Sequence, residues 1–324
     1  MENILVSIDC ITYNHEQYIA DALDSFLMQQ TNFKYEILIH DDASTDRTAE
    51  IIRAYEKRYP EIIKPIYQLE NQYSKGVAVE NFNSKRAKGK YLAICEGDDY
   101  WIDPCKLQKQ VDYMEKHPKC SLCVHAGNIV TASEKKLLAQ YRSYKESTIV
   151  SVSDVIAGGG GLFLTNSMLC LTAMVQKKPK FVEASPVGDY PLAIHLALLG
   201  TVYYMDDIMS AYRVGDANSW TALNFSNMED RKEHFHHIAK MLDELNIYTN
   251  YQYEHVIENT KLRNHFFLLV EQRKFSDIKS GQLYNIYSTL DFKRKCMITM
   301  SQYCPALLNF LKSTRKKLVR WATK

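Results

Sequence analysis

Nowhere in these 324 residues does an apolar run reach the roughly 18–20 residues a membrane-spanning helix needs. The opening MENILVSIDC has no basic group ahead of its apolar stretch and no small-residue cleavage site, so no signal peptide is expected. No G-x-G-x-x-G follows the first apolar run, as a dehydrogenase would require. The one glycine tract, 158–161, lacks the Lys-Ser/Thr of a phosphate-binding loop and reads as a flexible loop. The eight cysteines form no framework; Cys10, Cys95 and Cys170 lie inside apolar runs, as buried thiols of a reducing compartment do. His117, Cys120, Cys123 and His125 imitate a zinc set, but no second pair follows at finger spacing. The odd interval between the two cysteines predicts opposite faces of one strand. Acids are missing from one region: residues 292–324 hold nine Lys/Arg and no Asp or Glu. The remaining 291 residues therefore carry a balance of −7 beneath an overall +2. A basic tail on an acidic body points to an anionic surface as partner for the tail, and nucleic acid is not expected as a partner.

What is present alternates between two periods. Residues 4–13, 35–42, 62–68, 91–95 and 120–126 are apolar and β-branched, and predict strands. Between them 14–30, 46–60, 81–90 and 103–118 carry helical spacing, with Asp46 and Asp103 as start signals, Pro104 at a first turn and Pro60 as a stop. Such alternation predicts an α/β/α sandwich around a mainly parallel sheet, whose ligands bind beyond the C-terminal strand ends. Residues 130–220 are less regular, with a strand expected over 167–174 and a helix over 188–200; from about 222 the period is helical.

Two acidic clusters fall on that edge. CEGDDYW (95–101) sets Glu96, Asp98 and Asp99 within four positions, where mutual repulsion calls for a counter-ion. A divalent cation, Mn²⁺ or Mg²⁺, shared with a diphosphate fits this chemistry, and a solvated acidic turn is the plain alternative. In HDDASTD (40–46), Asp46 suits a helix cap, while Asp41 and Asp42 gain nothing from capping and suit hydrogen bonding to a base edge or ribose hydroxyls.

The run SIDCITYNHEQYIADALDSFLMQQ, then YEILIHDDASTDRT, then AKGKYLAICEGDDYW-x-DP-x-KLQ, resembles the family 2 glycosyltransferases of the nucleotide-sugar-binding GT-A fold. The resemblance covers roughly residues 3–215 and is densest over 3–115. It implies a catalytic domain over 1–220, with a nucleotide-sugar half at 1–128 and an acceptor half at 129–220, followed by a helical region at 221–324. It implies that Thr12, Tyr13 and Asn14 line the nucleotide site, that Asp42, beside Asp41, contacts the base, and that Asp98 and Asp99 bind ribose and metal. Glu96 stands where the family usually has Asp. Asn81 matches a family asparagine whose usual preceding arginine is absent, leaving Lys75 as a candidate for the diphosphate. In VGDYPLAIHLALLG, Asp189 matches the general base, with Gly188 in place of the usual Glu; an N-cap is the plain reading. AYRVGDANSW (211–220) matches the stretch that closes over the diphosphate, with Asp216 or Ser219 where a histidine is sometimes found. Trp101 is expected beside the sugar pocket.

The implied function is inverting sugar transfer from a nucleotide-diphosphate donor, a UDP-sugar, to a glycan or polyprenyl-linked glycan in cell-envelope polysaccharide biosynthesis. A sugar-nucleotide nucleotidyltransferase is an alternative, disfavoured because ITYNHEQY replaces its Gly-rich, Arg-containing loop. A non-catalytic sugar-binding relic is another, kept open by Gly188 and Glu96. In the tail, 305–324, Leu307, Leu311, Leu318 and Trp321 share one helical face and Lys312, Lys316 and Arg320 another. That pattern suits a cytoplasmic enzyme lying on the anionic inner face of the plasma membrane, or a helix docked on the catalytic domain.

Overall fold

The computed structural model describes residues 4–304 except 184, 186, 217, 218, 220, 221, 223, 224 and 226. The expected tail helix, 305–324, lies outside the described residues. In chain order the strands are β1 (Ile4–Thr12), β2 (Lys34–Asp41), β3 (Ile63–Tyr67), β4 (Tyr91–Ile94), β5 (Tyr100–Trp101), β6 (Cys120–Thr131), β7 (Leu137–Tyr141), β8 (Thr148–Val150), β9 (Leu169–Leu171) and β10 (Thr201–Val214). The helices are α1 (Ile19–Leu27), α2 (Thr48–Arg58), α3 (Glu80–Arg86), α4 (Lys106–Lys116), α5 (Val152–Gly158), α6 (Thr172–Val175), α7 (Lys180–Glu183), α8 (Asp189–Leu199), α9 (Met228–Tyr248), α10 (Glu254–Glu271), α11 (Gly281–Thr289) and α12 (Phe292–Tyr303).

One sheet runs β3-β2-β1-β4-β9-β6-β10-β5, with β7 on β6 and β8 on β10. The first four strands are parallel, as the alternation predicts. Beyond them the sheet is mixed: β9 lies antiparallel between β4 and β6, and β10 returns parallel to β6. Two antiparallel steps restore the direction, so β1, β2, β4, β6 and β10 all end at one edge.

Side-chain alternation divides the core between the two faces. Val6, Ile8, Cys10, Tyr91 and Ala93 pack with Ile19, Leu23 and Phe26 of α1 and with Leu107, Val111 and Met114 of α4. Leu92, Leu122 and Val124 pack on the opposite face with Ile194 and Leu196 of α8 and with Leu242 and Leu245 of α9. A third, smaller cluster, Phe266, Leu269, Phe275, Ile278 and Ile298, binds α10 to α12. Among the described residues no helix is long and apolar enough to cross a membrane.

Local signals act as their chemistry dictates, shifted by a residue or two. The Asp46 carboxylate accepts from the Thr48 N–H at 2.9 Å, and the Asp103 carboxylate from the Cys105 N–H at 2.7 Å, each just ahead of its helix. One expectation fails. Cys120 and Cys123 belong to the same core cluster, because the β6–β10 register slips between Thr201 and Val202. The extra residue of a bulge reverses the alternation for everything after it.

Gly89, leading into β4, donates its N–H to Ser7 Oγ at 2.9 Å. A Cβ there would meet the Ser7 nitrogen at 2.4 Å and the Val6 carbonyl carbon at 2.6 Å, both immovable backbone. Gly89→Ala is therefore expected to cost about 3 kcal/mol or more by overpacking, read as a drop in Tm or denaturant midpoint. An unchanged midpoint would refute this account of β1–β4 contact.

Candidate active site

The turn after β4 owes its shape to Gly97. Its N–H reaches the Ile11 carbonyl at 2.9 Å, and a side chain on it would lie 2.7 Å from Thr12 Oγ1. The chain thus crosses the end of β1 closely, and the Asp99 N–H closes back on the Glu96 carbonyl at 3.2 Å. The three acids then take different surroundings. Asp99 is buried, one carboxylate oxygen accepting from the Arg213 N–H at 2.7 Å and the other from Asn166 Nδ2 at 2.9 Å. Burial first, then the charges of Asp98 and Glu96, hold its carboxyl well above the usual range. Asp98 stays partly open to solvent. Burial, then the charges of Asp98 and Asp189, push Glu96 up to about 8.

That last contribution connects the turn to a residue about ninety positions downstream. Asp189 opens α8, its carboxylate accepting from the Tyr190 N–H at 2.7 Å and from Thr165 Oγ1 at 3.3 Å. Burial raises its pKa, which makes it a stronger base than a solvated aspartate. Apolar Val155, Leu162, Phe163, Met168 and Ala193 line a recess beside it. The Tyr212 phenol is raised by burial and by the charges of Glu96, Asp99, Asp98 and Asp189, so it lies among the same acids.

The end of β10 closes this rim. Arg213 ion-pairs with Asp21 of α1, donates to the Asp98 carbonyl, and lies between the rings of Tyr18 at 5.0 Å and Tyr100 at 4.5 Å. Tyr18 in turn donates to Asp216 at 2.7 Å, and Ser219 Oγ donates to the Asp216 carbonyl at 3.0 Å. Trp101, in the core, donates its ring N–H to the Asn166 carbonyl at 2.9 Å. Sequence reasoning missed Arg213, Asn166 and Tyr212. Only the stretch containing Arg213 and Tyr212 was marked by its pattern, and nothing in it distinguished those side chains.

The second acidic corner is built more tightly. Asp42 is buried and accepts from the backbone N–H groups of Gln72 at 2.8 Å and Tyr73 at 3.0 Å, with His40 Nε2 at 3.3 Å. Burial lowers the His40 pKa, so the ring favours its neutral form. Asp41 accepts from the Ser44 hydroxyl, and burial raises its carboxyl. Thr12 is fully buried and its Oγ1 has no protein partner. Tyr13, the residue after β1, is 42% exposed. Asn14 adopts a positive φ of 55° and accepts from the Thr45 N–H at 2.8 Å. Lys75 is ion-paired with Glu70, whereas Lys178, nearly buried, donates to Asn81 Oδ1 at 3.1 Å and lies 3.7 Å from Glu80. The cation beside Asn81 thus comes from a distant segment that sequence spacing did not mark.

Beneath this rim the Asp9 carboxylate accepts from Asn83 Nδ2 at 2.8 Å and is raised to about 7, chiefly by burial. The folded state therefore holds a proton that the unfolded chain releases near pH 4, and this contribution to stability falls as pH rises from about 4 to about 7. Asp9→Asn is expected to flatten that fall, gaining roughly 2–4 kcal/mol at pH 8 relative to pH 4. Denaturant melts at both pH values test it; equal gains at the two would contradict it.

Among the described residues no group of three His, Cys, Asp or Glu side chains could hold a metal by itself. The rim does offer oxygen donors suited to a hard cation, since Asp98 is partly open and Glu96 is held above its normal pKa by burial and then by neighbouring negative charge.

Residues 7–161 match the family model described as Glycosyl transferase family 2. An uncharacterized protein of Mycobacterium tuberculosis is 36% identical over 214 residues, 64% of this chain but only 58% of that protein's length. The putative teichuronic acid biosynthesis glycosyltransferase TuaG of Bacillus subtilis is 31% identical over 229 residues, covering 67% of this chain and 84% of TuaG. The UDP-Glc:alpha-D-GlcNAc-diphosphoundecaprenol beta-1,3-glucosyltransferase WfaP of Escherichia coli is 38% identical over 112 residues, 34% of this chain and 41% of WfaP. In fold, the chain resembles S. aureus TarS 1-349 in complex with UDP-GlcNAc, with a TM-score of 0.59 at 19% identity over 81% of this chain and 73% of TarS 1-349. The expected fold class, a GT-A α/β sandwich with a helical C-terminal region, is thus the observed one, and the chain belongs to glycosyltransferase family 2.

Proposed function

We propose that this protein is an inverting glycosyltransferase moving a sugar from a nucleoside-diphosphate donor, a UDP-sugar, to a hydroxyl of a glycan or polyprenyl-linked glycan in cell-surface polysaccharide biosynthesis. The observation that carries this reading is Asp189, a buried carboxylate of raised pKa, within electrostatic reach of the acidic turn. Asp189 takes the proton of the acceptor hydroxyl as its oxygen bonds to the anomeric carbon; the anomeric C–O bond breaks on the opposite face, its electron pair leaving with the diphosphate. Thr12, Tyr13, Asn14, Asp41 and Asp42 form the base and ribose side, with Asn81 and Lys178 toward the phosphates. Asp98 and Glu96 are the carboxylates available to hold Mn²⁺ or Mg²⁺, with Asp99 shaping the turn because protein donors engage both its oxygens. A cation held there would supply positive charge to the departing diphosphate.

The similarity to TuaG and WfaP supports the polysaccharide and lipid-linked acceptor classes, and the UDP-GlcNAc complex of TarS supports a UDP donor. We place the protein in the cytoplasm, with tail 305–324 on the anionic inner membrane face. A thermal-shift screen of nucleoside diphosphates and their sugars, with and without Mn²⁺, tests the donor assignment. A metal-dependent rise with UDP or a UDP-sugar is expected; equal response to every nucleotide, or to none, would overturn it.

A further inference from the structure

The C-terminal helices lie beyond the family-model match, and the last described one, α12, has two apolar sides. Ile298 is buried and docks α12 on the small cluster of Phe266, Leu269, Phe275 and Ile278. On the other side Phe292, Cys296, Met300 and Tyr303 follow one another at steps of four, four and three, one stripe along the whole helix. None of these four belongs to a core cluster. Phe292 is 84% and Tyr303 68% exposed, and Met297 beside the stripe is 43% exposed. An ordinary surface helix would carry charge there.

The charge along the helix is mainly of one sign, the acid at its N-cap, Asp291, being paired with Arg294. Lys293 and Arg294 are exposed and Lys295 is partly so, and no acid follows Asp291 to the end of the chain. An apolar stripe flanked by cations, on a helix that leads directly into a further basic amphipathic sequence, complements one partner: the headgroup region of an anionic bilayer.

We infer that α12 is an interfacial helix that seats Phe292, Met300 and Tyr303 among anionic lipid headgroups and so holds the catalytic domain at the membrane. This rests on the proposed action at a membrane and adds to it a specific surface of the folded protein, independent of the tail. Phe292 and Tyr303, at the two ends, insert their rings, while Lys293 remains at the level of the phosphates.

Sedimentation of the full chain with vesicles of phosphatidylglycerol and phosphatidylcholine, against phosphatidylcholine alone, tests the inference. The wild type is expected to bind the anionic vesicles and not the neutral ones. Phe292→Ser combined with Met300→Ser should weaken that binding about tenfold or more, with Tm and transfer to a soluble acceptor unchanged. The tail variant Lys312→Glu, Lys316→Glu, Arg320→Glu separates the two readings. If it alone releases the protein while the stripe variant binds normally, the stripe inference is overturned and the tail reading stands. If the wild type binds no vesicle, both fall. If the stripe instead mediates a dimer that the double variant dissolves in lipid-free solution, a second copy is its partner and the inference is overturned.

Discussion

Asp189→Asn is expected to lower turnover by about 10²–10⁴-fold while leaving UDP affinity within about twofold. The substitution keeps the shape of the side chain and an oxygen for the Tyr190 N–H, while its amide nitrogen can donate to the Thr165 hydroxyl. It removes the lone pair that accepts the acceptor's proton. Because burial raises the Asp189 pKa, the wild-type rate should climb with pH on an acid limb above the ordinary aspartate range, and this limb should vanish from the residual activity of Asp189→Asn. Paired kcat and UDP-binding measurements check the split. A variant that loses UDP binding in proportion to kcat would make Asp189 a binding or structural residue, the helix-cap reading.

Asp98→Asn should act on the other partner of the reaction. Loss of its charge is expected to reduce kcat/KM by about 10²–10³-fold and to raise the Mn²⁺ concentration needed for half-activity. Its stability cost should be small, because the Asp98 side chain is partly exposed and Arg213 holds the backbone carbonyl rather than the carboxylate. Arg213→Met provides the contrast. It removes one of the two cations paired with Asp21, leaving Lys135, and frees the turn from its hold on the Asp98 carbonyl. Both Tm and Mn²⁺ affinity should therefore fall, whereas Asp98→Asn lowers affinity alone. Equal Tm losses in the two variants would contradict the distinction between the acid facing the donor and the arginine that aims it.

The sequence and the structure agree best where one physical rule decides the outcome. Strand–helix alternation over the first 125 residues marks β1 to β4 and α1 to α4, because each element buries one face and shows it in its period. The same period fails across β5, β7 and β8, two to five residues each, which are too short to repeat a pattern, and the strand expected over 167–174 is β9 for three residues before α6 begins at Thr172. A single bulge was enough to put Cys120 and Cys123 on one face. At the site, Glu96, Asp98 and Asp99 were visible as a cluster, but their separate surroundings were not. Asp99 depends on Asn166 and Arg213, 67 and 114 positions away, and such pairing leaves no trace in local spacing. Lys178 reaches Asn81 across 97 positions for the same reason.

In the proposed function the edge beyond β1 and β4 receives the nucleotide diphosphate of a sugar donor. A crystal structure of the full chain grown with UDP and Mn²⁺, read by the manganese anomalous signal, tests it most directly. Manganese is expected beside Asp98, with the diphosphate on that ion and the uracil and ribose toward Tyr13 and Asp42. Uridine nucleotide bound elsewhere, or manganese absent from the Asp98 turn with UDP present, would contradict it.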